Sequence, residues 1–236
     1  DGGKNFNTWR DTHIKLEGES VHMLQSVFLS DWYNSGGENI QGESYFPPVL
    51  DTKNNLPMQI VVSGPDSDWF SIEKLFFNMI MNSNRVVHIQ TPYFIPSHSM
   101  INALETTALS GVEVNLMITG NPDKKIPFWV AQTYFESLIE AGVNIYLYKN
   151  GFLHSKVLIV DDTVSTVGSC NMDIRSFHLD YEVNAVYYNK EVTVKLIKQF
   201  KDDLLYCIKI DKSTRKKLNV LIRLRNSIFR IFSPVL

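Results

Sequence analysis

Residues 151–173 read GFLHSKVLIVDDTVSTVGSCNMD, a strand-forming run that sets a histidine and a lysine two positions apart just before its most apolar stretch. Side chains alternate along a strand, so His154 and Lys156 project to one side while Val157 and Ile159 extend the opposite side into a core. Asp161, seven residues beyond His154, falls on the other face, where fixing the strand turn or pairing with a neighbour is its expected work. The chain then returns as a strand over Val164–Val167, and the turn through Gly168, Ser169, Cys170 and Asn171 brings Ser169 and Asn171 beside the first pair. An imidazole, an ammonium and two neutral hydrogen-bonding groups around one point suit a phosphodiester. Lys156 and Asn171 neutralise and orient its non-bridging oxygens, and His154 attacks phosphorus or protonates the leaving oxygen.

Around this stretch the chain reads as an ordinary folded body. It has 236 residues, 44% hydrophobic and 20% charged, enough for one large domain or two small ones and too apolar for disorder. The net charge of −2 argues against a generally basic nucleic-acid binder, but it hides an asymmetry: residues 209–236 carry +7 and residues 1–208 carry −9. Two cysteines, Cys170 and Cys207, are expected to be reduced thiols, as in a cytosol-facing protein. No run reaches the roughly 18 apolar residues of a membrane-spanning helix, and DGGKNFNTWRD lacks a signal peptide's apolar core. With no initiating Met and an element starting almost at once, the chain is expected to be cut at its front.

Strand and helix signals alternate. Strands are expected over 58–63, 86–94, 112–119 and 143–148, with helices over 70–81, from a Ser97 cap to Gly111, and over 127–141. This predicts an α/β sandwich with a largely parallel sheet, which three successive strands between Leu153 and Tyr188 turn into a mixed one. GG, PP and NN between Asn34 and Pro57 mark a loop-rich connection.

The spacing H-x-K-x4-D-x6-G-S-x-N, filled by His154, Lys156, Asp161, Gly168, Ser169 and Asn171, resembles the signature of the phospholipase D superfamily. A chance match in a chain of this length is on the order of one in 10⁵ to 10⁶. Within the superfamily the chain is similar to bacterial cardiolipin synthases, through WRDTH at 9–13, QTPYFIPS at 90–97, NMDIRSF at 171–177, YEVN at 181–184 and the terminal FSPVL. The resemblance implies a phospholipase D-like mixed sheet flanked by helices, built as two repeats that each give one His-Lys-Asp motif to a single site. One histidine becomes a phosphatidyl-histidine while the other moves the proton, with no metal and no other cofactor. The reaction implied passes a phosphatidyl group from one phosphatidylglycerol to the glycerol hydroxyl of a second, releasing glycerol and making cardiolipin. The partners implied are those two lipids and a membrane surface, with no nucleic acid, and the place implied is the bacterial cell membrane, catalytic part toward the cytoplasm. A carboxylate is expected behind each histidine, and by position Glu182 of YEVN should support His154. The same likeness implies Tyr93 at the lipid entrance, although a strand-end aromatic is as often packing.

Only one His-Lys-Asp motif is present. Residues 11–32 nevertheless bear a faint likeness to 182–204, and equating Asp11 with Glu182 gives a repeat offset of 171 that puts the other histidine before residue 1. Residues 1–45 are then the end of a first repeat with Asp11 supporting an absent histidine, 46–57 a linker, 58–208 the second repeat and 209–236 a basic amphipathic tail. In that tail Leu218, Leu221, Ile222, Ile228, Phe229 and Phe232 recur at helical spacing opposite Lys216, Arg223 and Arg230, which fits either a helix lying on anionic lipid or one docked on the sheet. Two other readings stay open: a phosphodiesterase or nuclease that completes its site by dimerising, and a fragment that binds anionic lipid without turnover. His13, His22, His88, His98 and His178 show no H-E-x-x-H spacing, so zinc is not expected.

Overall fold

A computed structural model describes residues 6, 8–49, 56–213, 220–231 and 233. Its centre is an eight-stranded mixed sheet in the order β12-β6-β5-β3-β8-β9-β11-β2. Three strands are mutually parallel, β3 (Val86–Thr91), β5 (Glu113–Thr119) and β6 (Asn144–Tyr148), joined by helical crossovers. β8 (Val157–Val160), β9 (Val164–Gly168), β11 (Glu182–Tyr187) and β2 (Met58–Ser63) continue on one side antiparallel, and β12 (Cys207–Ile210) closes the other edge antiparallel to β6. The parallel part is thus smaller than the alternation of signals suggested, because hairpin turns rather than helices connect β8 to β9.

Helices α2 (Ser71–Met81), α3 (His98–Leu109) and α5 (Phe135–Ala141) pack the main core, where Ile72, Phe76, Leu104 and Leu138 meet Val87, Leu116 and Ile145 of the sheet. Ser97 caps α3 as expected, its hydroxyl accepting from Met100 N–H. α7 (Lys190–Leu204) covers the opposite face, with Phe200 buried against Met117 and Leu153.

Two expected elements are broken by local chemistry. The strand over 86–94 stops at Thr91, since Pro92 has no N–H for the ladder, and resumes as β4 (Phe94–Ile95), which pairs with β10 (Met172–Asp173). The helix over 127–141 is two, α4 (Lys125–Ala131) and α5. Between them Thr133 and Tyr134 N–H groups reach back only three residues, to Val130 and Ala131, and the Thr133 hydroxyl bonds the Val130 carbonyl.

Before the sheet come β1 (Trp9–Arg10) and α1 (Glu19–Asn34). β1 pairs in parallel with β7 (Phe152–Leu153), through Phe152 N–H to Thr8 O and His154 N–H to Arg10 O. Gly151, at φ 96°, permits this approach, because a Cβ there would collide with Thr8. The last described helix, α8 (Val220–Arg230), lies on α4, with Arg225 stacked on Trp129, Arg230 on Tyr134 and Phe229 against Trp129. All three of its arginines are therefore used in docking, Arg223 by pairing with Glu136 of α5, while Leu224, Ile228 and Ile231 face outward. Lys216, Leu218 and Phe232 of the expected tail, and 50–55 of the expected linker, lie outside the described residues.

Candidate active site

His154, Ser155 and Lys156 occupy the short extended link between β7 and β8, and they keep the alternation expected of a strand. His154 and Lys156 line a cleft of about 730 Å³, together with Asp11, Ser169 and Asn171. Ser155 turns the other way and is fully buried, within reach of Thr12 and Arg10.

The carboxylate behind His154 is Asp11, not Glu182. His154 Nδ1 donates to Asp11 Oδ2 at 2.8 Å, an acceptor-only partner that fixes the tautomer and leaves Nε2 as the ring nitrogen for substrate. Burial works to raise the Asp11 carboxyl, but hydrogen bonds from His154 and from Thr12 N–H outweigh it and hold the group below the usual carboxylate range. The β1–β7 pairing is the physical reason: it lays residues 9–12 alongside 152–154, whereas Glu182 is taken up by Ser169. Asp11 therefore serves the histidine that is present, which corrects both carboxylate expectations at once.

A clamp that sequence reading missed holds this segment in place. Arg10 makes a bidentate pair with Asp203 near the end of α7, Nε to Oδ1 at 2.9 Å and Nη2 to Oδ2 at 2.8 Å, and Gln90 adds a third hydrogen bond to the same carboxylate. Arg10 also reaches the Asp11 carbonyl, so the pair is coupled directly to the residue behind His154. Arg10 inside the quoted WRDTH was the available signal, but its partner lies 193 residues away.

Lys156 Nζ donates to the His154 carbonyl at 2.7 Å. Burial pulls its ammonium down to about 8, against Asp11 and Glu182, which favour the charged form. Asn171 Nδ2 donates to Ser176 at 3.1 Å, and its Oδ1 is buried with no hydrogen-bond partner. Burial raises the Glu182 carboxyl despite hydrogen bonds from Ser169 and Ser176.

Three expected residues stand apart from the cleft lining: Glu182, Asp161 and Tyr93. Asp161, at φ 55°, sits at the far end of β8, where its carboxylate accepts the N–H groups of Asn84, Arg85 and Val86 and ties the β8–β9 turn to the start of β3. Tyr93 lies in the β3–β4 loop, its hydroxyl donating to Asp123 at 2.6 Å. Cys170 is buried, a small filler in the turn, and both cysteines are free thiols.

Residues 76–204 match a family described as "Cardiolipin synthase, PLD-like domain". The chain is 42% identical over 98% of its length to the major cardiolipin synthase of Bacillus subtilis strain 168, of which it covers 48%, and 41% identical over 99% of its length to a cardiolipin synthase of Geobacillus kaustophilus, of which it covers 47%. It thus spans about half the length of the curated relatives it matches. Among solved structures it resembles a phosphatidylserine synthase of Haemophilus influenzae (TM-score 0.61, 15% identity, 80% of this chain and 50% of that one). It also resembles Nuc, a phospholipase D family member of Salmonella typhimurium (TM-score 0.56, 18% identity, 66% of this chain and all of that one). At such identities the likeness concerns the fold.

Proposed function

The chain belongs to the cardiolipin synthase family of phospholipase D-like domains, and from that premise we propose that it carries one half of a phosphatidyl-transfer site. In this reading residues 1–45 end a first repeat, 46–57 link it, 58–208 form the second repeat, and the upstream repeat brings the other histidine. Each of α1 and α7 begins eight residues after its carboxylate, Asp11 or Glu182, which supports the repeat.

The observation that carries the proposal is the hydrogen bond from His154 to Asp11 across the seam between the two segments. A carboxylate on the first repeat serves the histidine of the second, so by the same symmetry Glu182 serves the histidine of the first. In the first step the upstream histidine attacks phosphorus of phosphatidylglycerol, the bond to the glycerol oxygen breaks, and His154 Nε2 protonates the departing glycerol. In the second step His154 takes the proton from the hydroxyl of another phosphatidylglycerol. That oxygen then attacks phosphorus, the bond to histidine breaks, and cardiolipin leaves. Lys156 and Asn171 hold the non-bridging oxygens, and Asp11 stabilises the imidazolium.

The test is complementation. Residues 1–236 alone are expected to be inactive on labelled phosphatidylglycerol, and co-expression with the upstream repeat to restore transfer, in the presence of chelator. Turnover by the isolated chain as a monomer would sink the half-site reading. Turnover only as a dimer would favour the phosphodiesterase alternative, and lipid binding without transfer in the two-repeat protein would favour the non-catalytic one.

A further inference from the structure

The cleft is larger than its chemistry requires. Its roughly 730 Å³ lie within the range of about 300–1,000 Å³ of sites that enclose whole small molecules, whereas a phosphodiester needs only the end where His154, Lys156 and Asn171 meet. Beyond that end the walls are apolar: Val21 and Leu24 come from the first turns of α1, and Ile60, Val183 and Ala185 from β2 and β11. Val183 and Ala185 share one face of β11, and Ile60 is the register partner of Ala185, so the sheet forms an aliphatic floor on which Leu16 and Leu24 already pack at one side.

We infer that the groove between α1 and the β2–β11 edge binds a fatty acyl chain of the phospholipid whose phosphodiester sits at His154 and Lys156. The inference rests on the phosphatidyl-transfer reading and adds to it a hydrophobic subsite on this repeat. The competing occupant is the upstream repeat itself, and α1 argues against it. With Glu19 and Lys190 as equivalent helix starts, the α7 residues buried on their sheet, Thr193 and Phe200, correspond to His22 and Leu29. Those lie about a third of the way around α1 from Val21 and Leu24. An equivalent upstream sheet would therefore centre on the His22 face rather than on the groove, meeting the groove wall only at its Val21 edge, whose counterpart Val192 touches the sheet. The polarity also runs in the right order for a lipid, charged at the reacting phosphate and aliphatic beyond it.

The test uses the protein with both repeats and compares dihexanoyl with dihexadecanoyl phosphatidylglycerol in the same detergent micelles. Val21→Trp, at a half-exposed helix position, and Val183→Phe, on the floor, narrow the groove from opposite walls. Since each methylene withdrawn from water favours binding by about fourfold, loss of between one and two is expected to lower kcat/KM for the long-chain lipid about tenfold more than for the short-chain one. Equal loss on both lipids, or no loss on either, would overturn the groove. If the unmodified protein turns over neither lipid, the transfer reading fails by itself, and binding of fluorescent parinaroyl phosphatidylglycerol then decides. About tenfold weaker binding by Val21→Trp would uphold the subsite, and unchanged binding would remove it.

Discussion

Asp11 and Glu182 stand at matching places, each eight residues before a long helix, yet their surroundings differ in one partner. Asp11 meets an imidazole and its carboxyl pKa is lowered; Glu182 meets serines and its carboxyl pKa is raised by burial. Burial outweighs the hydroxyl hydrogen bonds at Glu182 even with the Lys156 ammonium nearby, whereas a direct hydrogen bond to a histidine is enough to outweigh it at Asp11. In the proposed two-repeat site the difference has a simple reading: Asp11 has met its histidine, His154, whereas Glu182 would be completed electrostatically only by the histidine of the other repeat.

The sharpest way to break this comparison is at the histidines. In the two-repeat protein, His154→Ala is expected to lower transfer by about 10⁴-fold or more. A nitrophenyl ester, whose leaving group needs no proton, should recover part of the cleavage; no recovery would count against the acid role, and phosphate trapped on His154 would reverse the assignment. One step smaller, Asp11→Asn and Glu182→Gln should each lower kcat by about 10²–10³-fold. The two should separate with the activated ester. The Asp11→Asn defect should shrink, because Asp11 acts through the proton donor, while that of Glu182→Gln should persist. Identical behaviour of the two variants would erase the distinction drawn between them.

Much of this was legible in the sequence where the information is local. The alternation at His154 and Lys156, the Ser97 cap and the strand over 58–63 depend on neighbours within a few residues, and all are found. What escaped depends on contacts between distant segments. Asp11 lies 143 residues from His154, and Arg10 193 from Asp203, and no periodicity announces either pair. The position-by-position analogy put Glu182 behind His154, whereas the β1–β7 ladder sets Asp11 there. In the C-terminal helix the spacing exposed the apolar stripe, but only the rings of Trp129 and Tyr134 determine where the arginines go.

A milder perturbation acts through charge at the phosphate-binding end. Lys156 is protonated below its pKa of about 8 and neutral above it, so transfer should decline as pH rises through about 8, when the cation that neutralises phosphate is lost. Lys156→Arg keeps its charge throughout and should move that limb upward even if its maximum is lower. A limb unmoved by the substitution would assign the decline to another group.

The smallest catalytic effect is expected from the motif residue that does not line the cleft. Asp161 holds three backbone N–H groups at the start of β3, at the opposite end of β8 from Lys156. Asp161→Ala leaves those donors without their acceptor and puts a side chain poorly suited to φ 55° in the turn, which should cost about 1–3 kcal/mol of stability. The carboxyl pKa is lowered, with burial opposed by the backbone hydrogen bonds, so the folded state binds protons less readily than the unfolded one. Its contribution is therefore present at neutral pH and lost as pH falls through the folded pKa. Thermal unfolding at pH 7 should show a fall of several degrees for Asp161→Ala, narrowing in acid, while kcat of the folded enzyme changes less than about twofold. A large loss of kcat with unchanged stability would move Asp161 to the catalytic end of the motif and remove the division of labour along β8.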